Sequence, residues 1–248
     1  MNILVCISRV PDTATRVKIG GDGKAIDNAG VKFVVNPFDE FAIEEGLRIR
    51  EKNGGEVTAV TIGTEVSQDI LRTALAMGVD KVILVKGKEN PDSYYVAENL
   101  AAVAKDVNPD LILLGKQSVD YDSLQIPSAL AELLGMPSIS VVSKLDVEAD
   151  KLTAERDIEG GKEVLEASLP CVISAQKGLN EPRYPKLPDI MKAKAKPIDQ
   201  RDAVDAAERT SVHKMELPLS QRVGKILSDS DEDIAAVVKM LHEDAKVI

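Results

Sequence analysis

The chain has 248 residues, enough for one large α/β domain plus an appendage or for two small domains, and 44% of them are hydrophobic, which argues against wholesale disorder. A formal charge of −10 argues against a general nucleic-acid binder, which needs a basic footprint. No apolar run reaches the roughly 18–20 residues of a membrane span, so direct membrane insertion is not expected. Aromatic residues are few (three Phe, four Tyr, no Trp), and the Val, Ile, Leu and Ala that dominate suit buried parallel strands.

The opening stretch MNILVCISRV reads as a buried strand over residues 2–7, without the basic region or cleavage site of a secretory leader. Cys6 and Cys171 each sit in an apolar run and read as buried thiols in a reducing cytoplasm. A polar hairpin, RVKIGGDGKAIDN, turns at its glycines. In VVNPFDEFAIEEGLRIREKNGG, Asn36 suits an N-cap and Pro37 the first helical position. Asp39 and Glu40 favour the positive end of the helix dipole, Phe38, Ala42, Ile43 and Leu47 recur at helical spacing, and Gly54 and Gly55 end the run.

EVTAVTIG, KVILVKG and DLILLGKQ then read as strands, alternating with the helical stretches SQDILRTALAMGVD, YYVAENLAAVAKDVN and DYDSLQIPSALAELLG. Such alternation means βαβ units and an open, doubly wound, mainly parallel sheet up to about residue 136. From Pro137 to Gln176 apolar and polar residues alternate about Ala149–Asp150 and Gly160–Gly161, which predicts an antiparallel extension at a sheet edge. Residues 177–197, KGLNEPRYPKLPDIMKAKAKP, carry four prolines and no sustained period, so a loop is expected. The division expected is an α/β domain over 1–197, and an extended C-terminal arm over 198–248 ending in a short helix. On that helix Ile234, Val237, Val238 and Leu241 share a face.

Much chemistry is missing. GGDGKA lacks the hydroxyl residue of a phosphate-binding P-loop, and no GxGxxG follows the first strand. His213 and His242 lie in the tail, away from both cysteines, so neither a metal site nor a Ser–His triad is expected, and no catalytic residue is assigned. Two regions remain. Open parallel sheets bind ligands at the carboxyl ends of their strands, which here means residues 6–12, 36–39 and 115–128. Asp120, Asp122, Ser123 and Gln125 crowd a helix entrance there, as ligand groups or as ordinary caps. The second region is the strip Arg183, Lys186, Lys192, Lys194 and Lys196, interleaved with Tyr184, Leu187, Ile190 and Met191. It reads either as a solvated loop or as a transient docking surface of apolar anchors rimmed by cations.

GLNEPRYPKLPDIMKAKAKPI closely resembles the signature of electron-transfer flavoprotein beta subunits. VNPFDEFAIEEGLRIRE, LRTALAMGVDKVILV, LILLGKQSVDYDS and the tail stretch LPLSQRVGKI resemble the same family in the same order, so the similarity covers essentially the whole chain. The resemblance implies a Rossmann-like domain of the adenine-nucleotide alpha-hydrolase type, in a heterodimer whose alpha subunit carries most of one redox-active FAD. It implies electrons from flavin dehydrogenases such as acyl-CoA dehydrogenases, an acceptor such as a membrane quinone oxidoreductase, and a structural AMP in the beta subunit. Carried over, the nucleotide pocket comprises Cys6, Asn36, Pro37, Phe38, Asp39, Ile62, Gly63 and residues 118–129, with Ser118, Asp120, Asp122, Ser123, Gln125 and Ser128 as its polar members. Tyr184, Leu187, Ile190, Met191 and Lys192 form the partner-docking set, Leu187 being the apolar anchor.

The helix entrance departs from the family pattern. Relatives that hold AMP carry acidic residues followed by Asn-Gln-Thr-Gly-Gln, whereas this chain has D-Y-D-S-L-Q-I-P-S. Pro127 has no N–H, Ile126 replaces a hydroxyl-bearing residue and Tyr121 adds bulk, which weakens the expectation of AMP, and equally of the second FAD that the resemblance implies for some relatives in the same place. The competing reading is a nucleotide-hydrolysing or nucleotide-sensing α/β protein, which would need a phosphate loop or metal ligands that the sequence does not display.

Overall fold

The computed structural model describes residues 1–218 and 224–248; the middle of the LPLSQRVGKI stretch, residues 219–223, lies outside the described residues. Met1–Met215 form one compact unit. In chain order it contains β1 (Asn2–Cys6), β2 (Arg9–Pro11), β3 (Phe33–Val35), α1 (Pro37–Asn53), β4 (Glu56–Gly63), α2 (Gln68–Met77), β5 (Lys81–Lys86), α3 (Ser93–Val107), β6 (Leu111–Gly115) and α4 (Ile126–Leu134). β7 (Ser138–Val147), β8 (Lys151–Ile158), β9 (Gly161–Ser168), β10 (Cys171–Ala175), α5 (Leu187–Ala195) and β11 (Asp199–Asp202) complete it. Glu216–Ile248 form a second unit, with α6 (Asp231–Lys239) running into a π-helical turn at Met240–Asp244.

Among the described residues the main sheet is ordered β11-β5-β4-β1-β6-β10-β7-β8-β9. β1 lies between β4 and β6, parallel to both, and is buried on both faces. Because side chains alternate along a strand, Ile3 and Val5 join one core cluster while Leu4 and Cys6 join the other. Ala42, Ile43 and Leu47 of α1 and Ile70 and Leu71 of α2 fill the first cluster; Leu100 and Ala104 of α3 and Leu130 of α4 fill the second. Helices on both faces of a mostly parallel sheet make the doubly wound, Rossmann-like architecture expected. β2 and β3 pair separately as a small antiparallel ribbon.

α1 follows its sequence signals. Pro37 opens it, Asp39 and Glu40 occupy the first turn, Arg50 and Lys52 the last, and Gly54 ends it at a φ of 73°. Gly46 sets its distance from the sheet: an added Cβ would stand 3.2 Å from Val5 Cγ2. The loss of helix propensity at that glycine, about 1 kcal/mol, is accepted for close helix–strand packing.

Three expectations are corrected. CVISA, read as the end of the antiparallel run, is instead the interior strand β10, parallel to β6 on one side and to the start of β7 on the other. β7 therefore has two halves. Its first residues belong to the parallel sheet, and after a register break at Val142–Lys144 the rest pairs antiparallel with β8 and, through it, β9. Ser174, 1% exposed, accepts the Val141 N–H at 2.9 Å where the ladder is interrupted. Secondly, residues 187–195 of the proline-rich stretch form a helix, with Pro188 inside the first turn where its missing N–H breaks no bond. Thirdly, residues 198–215, expected in an extended arm, lie within the first unit, where β11 pairs parallel with β5.

Candidate functional site

Asn36 and Asp39 tie together three of the turns at the carboxyl end of the sheet. Asp39 is 3% exposed and accepts the Ser8 N–H and the Ser8 hydroxyl, both at 2.7 Å, on one oxygen and the Gly115 N–H at 2.9 Å on the other. Burial pushes its carboxyl up to about 6 in spite of these donors. Asn36, fully buried, occupies the N-cap position without capping. Its amide donates to Gln117 O at 2.9 Å and its carbonyl accepts the Val119 N–H at 3.2 Å. The loops after β1 and β6 are thus fastened to the start of α1. Gly115 is required at the crossing, since a Cβ there would lie 2.4 Å from Asp39 Oδ1 and 2.6 Å from Phe38 Cβ. The Lys116 ammonium stands 4.9 Å over the Phe38 ring.

An open cleft of about 480 Å³ lies between the starts of α3 and α4, lined by Ser93, Tyr94, Leu124, Gln125, Ser128 and Ala129. Its size is within the range of small-ligand sites. The two helix starts differ. Asp92 caps α3 by accepting the Tyr95 N–H at 2.8 Å, and its other oxygen accepts from Arg209 N, Thr210 N and the Thr210 hydroxyl. Arg209 stacks on the Tyr94 ring at 3.8 Å. α4 starts at Gln125 with no side-chain cap, so its first-turn amides, Pro127 excepted, have no side-chain partner.

Of the expected pocket residues, Leu124, Gln125, Ser128 and Ala129 line the cleft, and Ser123 reaches toward it, its hydroxyl 3.4 Å from that of Ser93. Asp122, at a φ of 56°, accepts from the Gln117 side chain, while Asp120 bonds the Tyr121 N–H; both serve the turn. Ser118 takes part through its carbonyl, which accepts the Asp122 N–H at 2.9 Å. Cys6 is buried in the second core cluster, where burial and then the Asp39 charge push its thiol far above the ordinary range. Ile62 packs against the same cluster, and Gly63 leaves room for Ser67, whose Oγ an added Cβ would meet at 2.5 Å. Pro37 and Phe38 belong to the knot. The substitutions that weakened the nucleotide expectation do not close the cleft: Pro127 is buried, Ile126 packs on the core, and Tyr121 is 53% exposed and not among the lining residues. Ser8 falls within the expected stretch 6–12 without having been singled out, and Ser93 and Tyr94 were not anticipated, although the carboxyl-end rule, applied also to β5, points at residues 87–94.

The docking segment is fastened at both ends. At one end Asn180 donates to Phe41 O at 3.0 Å and to Glu45 Oε2 at 2.8 Å. Arg183 bonds Glu44 through Nε at 2.7 Å and Glu51 through Nη1 at 2.6 Å, all three carboxylates lying on α1. At the other end Arg72 of α2 donates to Ala193 O at 2.7 Å and to Lys196 O, and the Lys196 ammonium reaches Val79 O at 3.2 Å. Arg183 and Lys196 are therefore withdrawn from the expected cationic strip, which is reduced to Lys186, Lys192 and Lys194. Between the clamps Tyr184 is 94%, Leu187 72% and Met191 58% exposed, and Ile190 borders them. The Lys192 ammonium lies 3.8 Å from Asp189 Oδ1.

No group of three or more His, Cys, Asp or Glu among the described residues is arranged to hold a metal ion, and no helix among them is long and apolar enough to cross a membrane. The fold, with an open cleft at the carboxyl ends of β5 and β6, is that of a doubly wound, Rossmann-like α/β protein. Residues 24–206 match the family described as the Electron transfer flavoprotein domain. The chain is 41% identical to an electron transfer flavoprotein subunit beta of Bacillus subtilis, with all of both chains covered. It is 40% identical to the human subunit beta over 96% of this chain and 97% of the relative, and 44% identical to that of Dictyostelium discoideum over 78% of each. The chain belongs to the electron transfer flavoprotein family, as a beta subunit.

Proposed function

We propose that the chain pairs with an alpha subunit that holds most of one FAD, and that the heterodimer carries electrons from flavin dehydrogenases, acyl-CoA dehydrogenases among them, to a quinone oxidoreductase or comparable acceptor in the cytoplasm. The flavin supplies the redox chemistry when bound. This chain supplies the docking surface and a structural nucleotide site. The observation that carries the reading is the exposed row Tyr184, Leu187 and Met191, rimmed by Lys186, Lys192 and Lys194, on a protein of net charge −10. Exposed apolar anchors beside cations suit brief, repeated contact with acidic partner surfaces.

The cleft fits AMP by its chemistry. Tyr94, Leu124 and Ala129 offer apolar surface for a base, Ser93, Ser128 and Gln125 offer neutral donors, and the uncapped first turn of α4 favours an anion. Among the described residues no lysine or arginine lines it, which suits a resident monophosphate better than a turned-over triphosphate. Leu187→Ala in the heterodimer tests the docking role: the apparent affinity for a donor dehydrogenase falls about tenfold or more, as expected for losing one buried leucine at a contact. Unchanged transfer kinetics would remove the docking assignment.

A further inference from the structure

We propose that Arg183 and Arg72 are positioning residues that hold residues 184–192 as a preformed docking surface, so that partner contact does not have to order the segment. The inference rests on the docking reading above and adds how that surface is built.

The segment carries large exposed side chains and little of it is buried; within α5 only Ala193 is buried. Packing on α2, through Ala193, seats one side of α5, but it leaves residues 184–191 largely exposed, and the two arginines hold that stretch at its ends. Arg183 is held by a fork of charge-assisted bonds: Nε and Nη2 to Glu44, Nη1 and Nη2 to Glu51, with its own backbone N–H also given to Glu44 Oε2 at 3.2 Å. Glu44 is almost fully buried and is further held by Arg48 at 2.7 Å, while Arg48 also reaches Glu181 O at 3.4 Å. Planar, bidentate arginine–carboxylate geometry fixes direction as well as distance. At the far end one nitrogen of Arg72 takes two carbonyls at the C-terminus of α5, where unsatisfied carbonyls and the negative end of the helix dipole collect. α1 and α2, the helices that provide these clamps, are both packed on the central sheet. The exposed row thus lies between two arginine clamps on helices of the core, with α5 itself packed on α2.

Ordering a mobile segment on contact would subtract from the affinity of a transient complex, so the clamps should show in affinity and not in turnover. The test compares Arg183→Gln, Arg183→Lys, Arg72→Gln and Leu187→Ala heterodimers at equal flavin content. Hydrogen exchange of residues 184–192 is measured beside steady-state transfer from an acyl-CoA dehydrogenase, with the heterodimer concentration varied. Both glutamine variants are expected to accelerate exchange in the segment and raise KM about tenfold with kcat nearly unchanged. Arg183→Lys falls between, because an ammonium cannot fork across Glu44 and Glu51; it also serves as the informative variant if Arg183→Gln fails to fold. Leu187→Ala raises KM without altering exchange. Unchanged exchange in the clamp variants overturns the inference, as does faster exchange with an unchanged KM. An unchanged KM in Leu187→Ala overturns instead the docking reading beneath it.

Discussion

Gly115 and Glu44 show how single side chains, present or absent, set the two regions of interest. Gly115→Ala would place a methyl 2.4 Å from the buried Asp39 carboxylate and 2.6 Å from Phe38 Cβ, so the start of α1 must move from the end of β6. A loss of about 1–3 kcal/mol is expected from such overpacking, read as a lower denaturant midpoint. Gly161→Ala in the β8–β9 turn, with nothing within 4 Å, should change it by no more than about 0.5 kcal/mol. At Glu44, burial alone would raise the pKa, but the Arg183 and Arg48 hydrogen bonds outweigh it and hold the carboxyl below its ordinary value of 4.5. Glu51, also bonded to Arg183, is lowered too. A carboxyl depressed in the folded state stabilises it fully above the unfolded value and loses that contribution as pH falls through the folded one. The stability advantage of the native chain over Arg183→Gln should therefore be constant near neutrality and shrink below about pH 4.5. Chemical denaturation of the two proteins at pH 7 and in acid measures it, and an advantage that grows in acid would contradict the assignment.

Among the elements, α3 and the strap after β11 share one residue. Asp92 caps α3 and receives Arg209 and Thr210, so Asp92→Ala uncaps the helix and releases residues 209–210 together. The expected loss is about 1–2 kcal/mol, with faster hydrogen exchange in that strap and at Tyr95. Elements whose local pattern and environment agree were legible in the sequence. β1, β4, β5 and β6 are continuous apolar runs bounded by polar turns, and α1 carries both its start and its stop. β10 was not legible, because five residues buried on both faces have no alternation of their own and follow directly on a hairpin that does. α5 was hidden by its prolines, whose meaning depends on falling in the first turn, and by its exposure, which leaves almost no apolar periodicity. At the candidate site, residue types indicated the loops at 36–39 and 118–128. They did not show that Asn36 and Asp39 hold loops to one another, nor that Arg183 is spent on α1, since both depend on partners 31 to 139 positions away.

For the whole molecule, the first unit combines an open cleft of about 480 Å³ with a clamped, exposed apolar row, and the second carries Ile234, Val237 and Val238 exposed on α6 and Leu241 exposed in the turn that follows. Each unit thus carries exposed apolar residues in a chain that belongs to a flavoprotein family, which fits a subunit completed by a partner. The most direct test is to co-express the chain with its alpha subunit, denature the purified heterodimer, and quantify the released nucleotides by chromatography and mass. One FAD and one AMP per heterodimer is the predicted result; a purified heterodimer that releases no flavin would contradict the electron-carrier account, and two FAD would contradict the assignment of the cleft to a structural nucleotide.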